Sequence, residues 1–554
     1  MTRHDTNGQI DVRAFPSDLT LLFLLLAASV LAGDFFFARW LAELQAPVDC
    51  SRASYAPSGP VLSCPKDAGA VFTGTLTGLF QVLVPGVAGF AFASRLRIRR
   101  HVPLETSPFR GAAETVRALV AAAALPASPT LLVGQRLRAG AHVAGPPGRP
   151  HLVLGPELLA MHDKGGSARR VFDVVVRHEL AHLQARDLWL HFLVTVLRWS
   201  NMYAGAFVLF AVILDLGHGN GATASDLLAA VSRVVLLTLL GELIARAFLR
   251  LREHEADLRG GAADREALIA AVRDGVAGQS TARLGAWLRH HPLGADRLGV
   301  ALAPGRILAS SPGRLFLGAT VAGVLFETLQ DMLRRAADDA GKPATTLVTG
   351  VVVGLPLTLF LAFALWRHHW YGGRTGPGRL VATAGVLTAG VAGGSHLALF
   401  TQVSGFSESG YPLDPLLLAG LFCGLLLLCA WTTALGALHH RTDPAATRMP
   451  AFLTLAVPAV SVVGGWLFAL LWTWAARLQG VRLGCAAEEN RTVPLCLSGS
   501  PGRDIAVSVV ETFDSVPVLV VVILAAVAAP LLIRAGGRAR RGRPVAPDAR
   551  DTVE

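Results

Sequence analysis

The chain has 554 residues, of which 52% are hydrophobic and 16% charged, with 57 glycines and a formal net charge of +11; its mean hydropathy is +0.49. Soluble domains carry roughly 25% charged residues, so this composition excludes a disordered, collagen-like or coiled-coil chain and describes an integral membrane protein. The positive charge is almost wholly arginine, with lysine only at Lys66, Lys164 and Lys342, and its spread along the chain points to bilayer-flanking loops and a GC-rich genome, with no nucleic acid partner.

Ten apolar runs of about 18 residues or more, the length that crosses ~30 Å of hydrocarbon, predict membrane spans near 18–40, 70–94, 188–214, 226–248, 315–333, 346–366, 380–403, 414–438, 451–476 and 515–534. Between the second and third runs lies a polar segment, 95–187, with helix and strand patterns, and a second polar segment covers 249–314. The cluster Arg95, Arg97, Arg99 and Arg100, the connections 367–379 and 439–450 and the tail from Arg534 are basic, and the positive-inside rule places them in the cytoplasm. Cysteines give an independent check, because disulfides persist on the oxidising side. Cys50 and Cys64 follow the first run, Cys485 and Cys496 follow the ninth, and ten spans from a cytoplasmic N-terminus put both loops outside. Cys423 and Cys429 sit inside the eighth run as buried thiols. Arg233 and Glu242 in the fourth run, and Glu327 and Asp331 in the fifth, are costly in hydrocarbon unless they face protein or water.

The chemistry-bearing pattern precedes the third run, where Val174-Val-Val-Arg is followed by His178-Glu179-Leu180-Ala181-His182. On a helix, histidines at i and i+4 project from one face and can hold a zinc, while Glu179 stands to the side where it can take a proton from water. With 17 histidines in the chain, an HExxH pattern is expected by chance only about 0.014 times. A catalytic zinc needs a third protein ligand and an open fourth position. Downstream of the fourth run the sequence reads Arg252-Glu253-His254-Glu255-Ala256-Asp257. Glu253 and Asp257 share a helix face, so one could ligate while the other supports a histidine from behind. At ~1.5 Å per helical residue, His182 and Glu253 both lie within a short distance of the neighbouring apolar runs, at one membrane face.

His178 to His182 followed by Asp187, then Arg252-Glu253-His-Glu-Ala-Asp257, then His290-His291-Pro292 with Arg297 six positions after His291, resembles the membrane-embedded zinc metallopeptidase family that includes the HtpX heat-shock protease and the CAAX prenyl endopeptidases. The resemblance covers roughly residues 100–300. It implies a cytoplasmic zincin-like metallopeptidase domain, mostly α with a small β element, over 95–314 including the runs 188–214 and 226–248. Two N-terminal spans with an outer Cys-bearing loop would then occupy 1–94, and a C-terminal membrane domain of about six helices 315–554. It further implies Zn(2+) on His178, His182 and Glu253, Glu179 as general base, Asp257 behind a ligand, and His291 and Arg297 lining the cleft as catalytic groups. The stretch from Pro150 to Leu159 looks like the strand and turn before the family's zinc helix. Where the family often has Asn-Ala before that strand, this chain has His142-Val-Ala-Gly145, and no substrate-binding residue is carried over from there.

The function expected is therefore an integral-membrane zinc-dependent endopeptidase of a bacterial cell membrane, cutting peptide bonds of membrane or membrane-proximal proteins by zinc-activated water with Glu179 as base. Its partners are a peptide or membrane-protein substrate and the lipid bilayer. The alternatives are a sensor protease of the BlaR type, which needs a larger outer domain than the outer loops offer, and a transporter or scaffold with a structural zinc site, which would have four protein ligands where three are found. A site-2 type intramembrane protease would need a third ligand deep in a later span, and Asp215 lies at the wrong end.

Overall fold

The computed structural model describes residues 84–96, 98–99, 101–217 apart from 138, 224–276, 292–308, 311–336, 342–370, 376–397, 415–442, 451–467 and 516–541, together with Leu26 and Phe80. The chain divides into two compact units, Leu26–Ile307 and Leu308–Glu554 with Met1–Leu25. The described part is mostly helical, with one small sheet. Four described helices are long and apolar enough to cross a membrane, namely Leu227–Gly260, Pro304–Thr328, Pro377–Leu397 and Leu418–Arg441. Shorter apolar helices cover Val353–Arg367, Ala451–Leu467 and Val520–Ala535. The expected run at 18–40 falls outside the described residues apart from Leu26, as do Cys50, Cys64, Cys485 and Cys496; Cys423 and Cys429 are free thiols, Cys429 buried as expected but Cys423 exposed.

In the first unit, helix α1 (84–96) leads to strand β1 (Val102–Pro103), helix α2 (Arg110–Ala122) and strands β2 (Thr130–Val133), β3 (Ala141–Ala144) and β4 (His151–Leu154). The sheet has the order β1-β2-β4-β3, with β2 and β4 parallel and the other two pairings antiparallel. Alternation sorts each strand between two faces. Val133, Leu152 and Leu154 join a buried cluster with Ala112, Val116, Leu159 and Phe172, whereas Leu132, Ala144 and Val153 pack on the opposite face against Ile98 and Leu137. Phe172 is fully buried, and such a side chain contributes about 1.5–3 kcal/mol.

That cluster anchors helices α3 (Pro156–Lys164) and α4 (Gly166–Gln184) to the sheet. Pro156 starts α3 at a position where a missing N–H costs nothing. Gly165 and Gly166 follow with φ of +67° and +54°, a backbone that a side chain would strain, and turn the chain into α4. The long helices α5 (Asp187–Gly217) and α6 (Ala224–Gly260) come next, then α7 (Arg265–Val276) and α8 (Gly294–Leu302). Both α7 and α8 are fixed to the back of α4 through Val174, Ala267, Leu268, Val272 and Ala301. The Arg265 guanidinium also donates to the last carbonyls of α8, at Ala301 and Leu302, over 2.9 Å each.

The second unit contains α9 (Pro312–Ala336), α10 (Lys342–Trp370), α11 (Pro377–Leu397), α12 (Pro415–Thr442), α13 (451–467) and α14 (Val516–Arg541). Its closest packing is between α9 and α11. A Cβ at Gly394 would stand 2.0 Å from the Thr320 carbonyl oxygen, and one at Gly390 would stand 2.6 Å from the Ala319 Cβ, so small residues four apart let these backbones touch. Trp366, fully buried on α10, donates its indole N–H to the Thr432 carbonyl at 2.9 Å.

Candidate metal centre

On α4 the apolar residues Val176, Leu180 and Leu183 face the core, which leaves His178 and His182 on another face one turn apart. Their Nε2 atoms are 3.2 Å from each other. Glu253 comes from α6, beyond its apolar stretch, and its carboxylate oxygens lie 3.6 Å from His182 Nε2 and 3.8 Å from His178 Nε2. The three candidate ligand atoms fall within 4.8 Å of one another. A tetrahedral zinc with bonds of ~2.0–2.1 Å separates its donors by about 3.4 Å, so these side chains could hold a metal ion almost without moving. Two imidazoles and one carboxylate are also the donor set of a zinc site that keeps a position open.

Each histidine is aimed from behind by a carboxylate, and each carboxylate is held by an arginine. His182 Nδ1 donates to Asp187 Oδ2 at 2.7 Å, and Arg252 grips Asp187 Oδ1 through Nε at 2.8 Å and Nη2 at 2.7 Å. Arg252 contacts Glu255 with its other nitrogen. His178 Nδ1 faces Asp257 Oδ1 at 2.9 Å, and Arg297 on α8 donates to both oxygens of Asp257, its Nε at 2.8 Å from Oδ2. Contacts of this kind fix the tautomer that leaves Nε2 for a metal and raise the basicity of the ligand. Burial lowers the pKa of His182, but the hydrogen bond to Asp187 and the negative charges of Glu179 and Glu253 outweigh it and raise the value to about 9.

Local backbone features put these groups in place. Arg186 takes a left-handed conformation, φ +58°, uncommon for a residue with a Cβ, and so bends α4 into α5 at the point that brings Asp187 under His182. Gly260 ends α6 against α4, where an added Cβ would stand 2.8 Å from the His178 Cα. Without that close approach Glu253 and Asp257 could not reach the histidines.

His178, Glu179, His182 and Glu253 thus come together, with Glu179 buried beside its neighbours at 7% exposure. Asp257 and Arg297 adjoin them as a pair. His290 and His291 lie outside the described residues. Sequence reasoning missed the ion pair of Asp187 with Arg252. The available signal was two opposite charges, each at a junction between a polar segment and an apolar run, both already in the motif.

Over 102 residues the chain is 39% identical to the "Protease HtpX homolog" of Pyrobaculum calidifontis. The matched stretch is 18% of this chain and 29% of that protein, so the chain spans less than a third of the curated relative it matches. No protein-family model matches the chain, and no solved structure gives a significant match.

Proposed function

We propose that the protein is an integral-membrane zinc-dependent endopeptidase that hydrolyses peptide bonds of membrane or membrane-proximal proteins on the cytoplasmic side. The observation that carries this reading is the convergence of His178, His182 and Glu253, drawn from two helices, beside the buried carboxylate of Glu179. A zinc held by those three side chains would supply Lewis acidity toward a substrate carbonyl and toward water. Glu179 then serves as general base, taking a proton from the attacking water and passing it to the departing amine. Asp187 and Asp257 keep the imidazoles turned toward the metal position. Arg252 and Arg297 hold those two carboxylates in place, so Arg297 acts through Asp257 as a positioning residue. The resemblance assigns His291 to the cleft, where it would donate to the negative charge that builds on the carbonyl oxygen.

Three protein ligands and an adjacent carboxylate favour a reactive site over a structural one, which would close all four positions. Metal analysis of the purified full chain tests the reading. One zinc per chain is expected, lost in His178→Ala, His182→Ala or Glu253→Ala; full zinc in Glu253→Ala would remove Glu253 from the ligand set.

A further inference from the structure

Eleven residues beyond Asp187 on α5, and ten before Arg252 on α6, a second set of charges meets. Arg198 grips Glu242 with Nε at 2.6 Å from Oε2 and Nη2 at 2.9 Å from Oε1. Arg246, one turn along α6, contacts the same carboxylate with its Nε. Two guanidinium groups thus share one carboxylate, a local charge of +1. The Arg246 Nη1 atom is buried without a hydrogen-bond partner among the described residues, although a guanidinium has five N–H groups to place.

The depth of this cluster follows from the packing of α1 on α5. Gly86 lies against Val196, and Phe90 packs edge-on against Phe192 at 5.0 Å. Continued in the same antiparallel register, Arg95, which begins the basic cluster, comes level with residue 187. Basic clusters mark a membrane surface, so Asp187 and the metal centre stand at that surface. At ~1.5 Å per residue, Arg198 and Glu242 then lie about 16 Å further in, near the middle of a ~30 Å hydrocarbon layer. Ionisable groups at that depth are costly and mark functional positions. The cluster also opens outward: the Arg198 side chain is 36% exposed. Exposed apolar side chains, Met202 one turn along α5 and Leu239 one turn along α6, flank it.

We infer that Arg198, Glu242 and Arg246 form a mid-membrane docking site for a transmembrane segment that carries an Asp or Glu near its centre. Charge complementarity selects an anion, because an acidic side chain set against the exposed Arg198 would neutralise the surplus positive charge that Arg198 and Arg246 place around Glu242. Depth selects its source, since lipid phosphates lie at the surface about 16 Å away. Met202 and Leu239 supply the apolar surface against which the rest of such a helix would pack. The nearly equal offsets on α5 and α6, eleven and ten residues, align this site with the metal centre, so a docked helix would present the stretch about one half-membrane from its acidic residue to Glu179. That such a helix is a substrate rests on the peptidase reading above; that it binds does not.

The test uses the full chain in lipid nanodiscs and single-span peptides identical except for Asp, Leu or Lys at the central position, with binding read by energy transfer. The Asp peptide is expected to bind at least tenfold more tightly than the Leu peptide, and the Lys peptide no more tightly than Leu. In Arg246→Gln and in Arg198→Gln the ratio of Asp to Leu affinity should fall to about one, and a ratio is not mimicked by general misfolding. Equal binding of the Asp and Leu peptides by the unaltered chain, or an undiminished ratio in both variants, would overturn the inference. Cleavage of a soluble peptide, measured in parallel, reports on the peptidase reading alone. Absent cleavage with the tenfold ratio intact removes that reading and keeps the docking site, and cleavage with a ratio of one does the reverse.

Discussion

Replacing Asp257 by Asn keeps the size and one acceptor of a side chain that is only 1% exposed but removes its charge. In the native arrangement the carboxylate meets His178 Nδ1 at 2.9 Å and receives two N–H groups of Arg297. An Asn can present its oxygen to one of these partners, and its NH2 then points at a donor. At least one charge-assisted contact is lost, worth about 1.5–3 kcal/mol, and Arg297, 30% exposed at its side chain, recovers part of that in water. Support contacts behind a metal-bound histidine typically change metal affinity by about 10–100-fold, equivalent to about 1.4–2.7 kcal/mol. Competition with a chromophoric chelator in detergent should therefore show zinc affinity reduced by about 10–100-fold in Asp257→Asn, with a similar loss in Asp187→Asn. Zinc affinity within threefold of the unaltered chain in both variants would refute the argument that these carboxylates orient the ligands.

Gly260→Ala should destabilise the protein and weaken zinc binding, although Gly to Ala in a helix ordinarily stabilises by about 1 kcal/mol, because the new methyl would meet the His178 backbone; thermal unfolding with and without zinc checks the sign. His182 in the metal-free site holds its proton with a pKa near 9, so that proton must leave before Nε2 can ligate, and zinc affinity should fall about tenfold per pH unit below that value. Calorimetry at pH 7 in buffers of different ionisation enthalpy should accordingly report close to one proton released from this residue. His291→Ala should lower kcat by about 10²–10³ with zinc retained, while His290→Ala leaves kcat near normal; steady-state cleavage of a peptide distinguishes them.

The membrane character and the two-helix cluster that could hold a metal were legible in the sequence for different reasons. Hydropathy is a sum over many residues, so the runs at 226–248, 380–403 and 414–438 translate directly into apolar helices. His178 and His182 were legible because helical periodicity alone puts them on one face. Glu253 was not fixed that way: α6 had to approach α4 closely enough for its carboxylate to reach Nε2, and that depends on Gly260 fitting against the His178 backbone, a tertiary fact. Arg297 illustrates the limit of a motif. Its place after His-Pro suggested a group lining the cleft; the motif does not encode the contact its guanidinium makes with Asp257. Arg198 escaped notice because one arginine hardly lowers the hydropathy of a 31-residue helix. Its pairing with Glu242 was nonetheless available, since the two residues stand 19 and 18 positions from the facing ends of α5 and α6.

The proposal that Glu179 works beside a bound zinc as the base of a peptidase is tested most directly by peptide cleavage in the unaltered chain and in Glu179→Gln at equal, measured zinc content. Cleavage by the unaltered chain, and a loss of at least about 10²–10⁴-fold in the variant with its zinc intact, is the predicted result. Equal turnover by the two proteins at matched zinc, or no cleavage by the zinc-loaded unaltered chain, would contradict it.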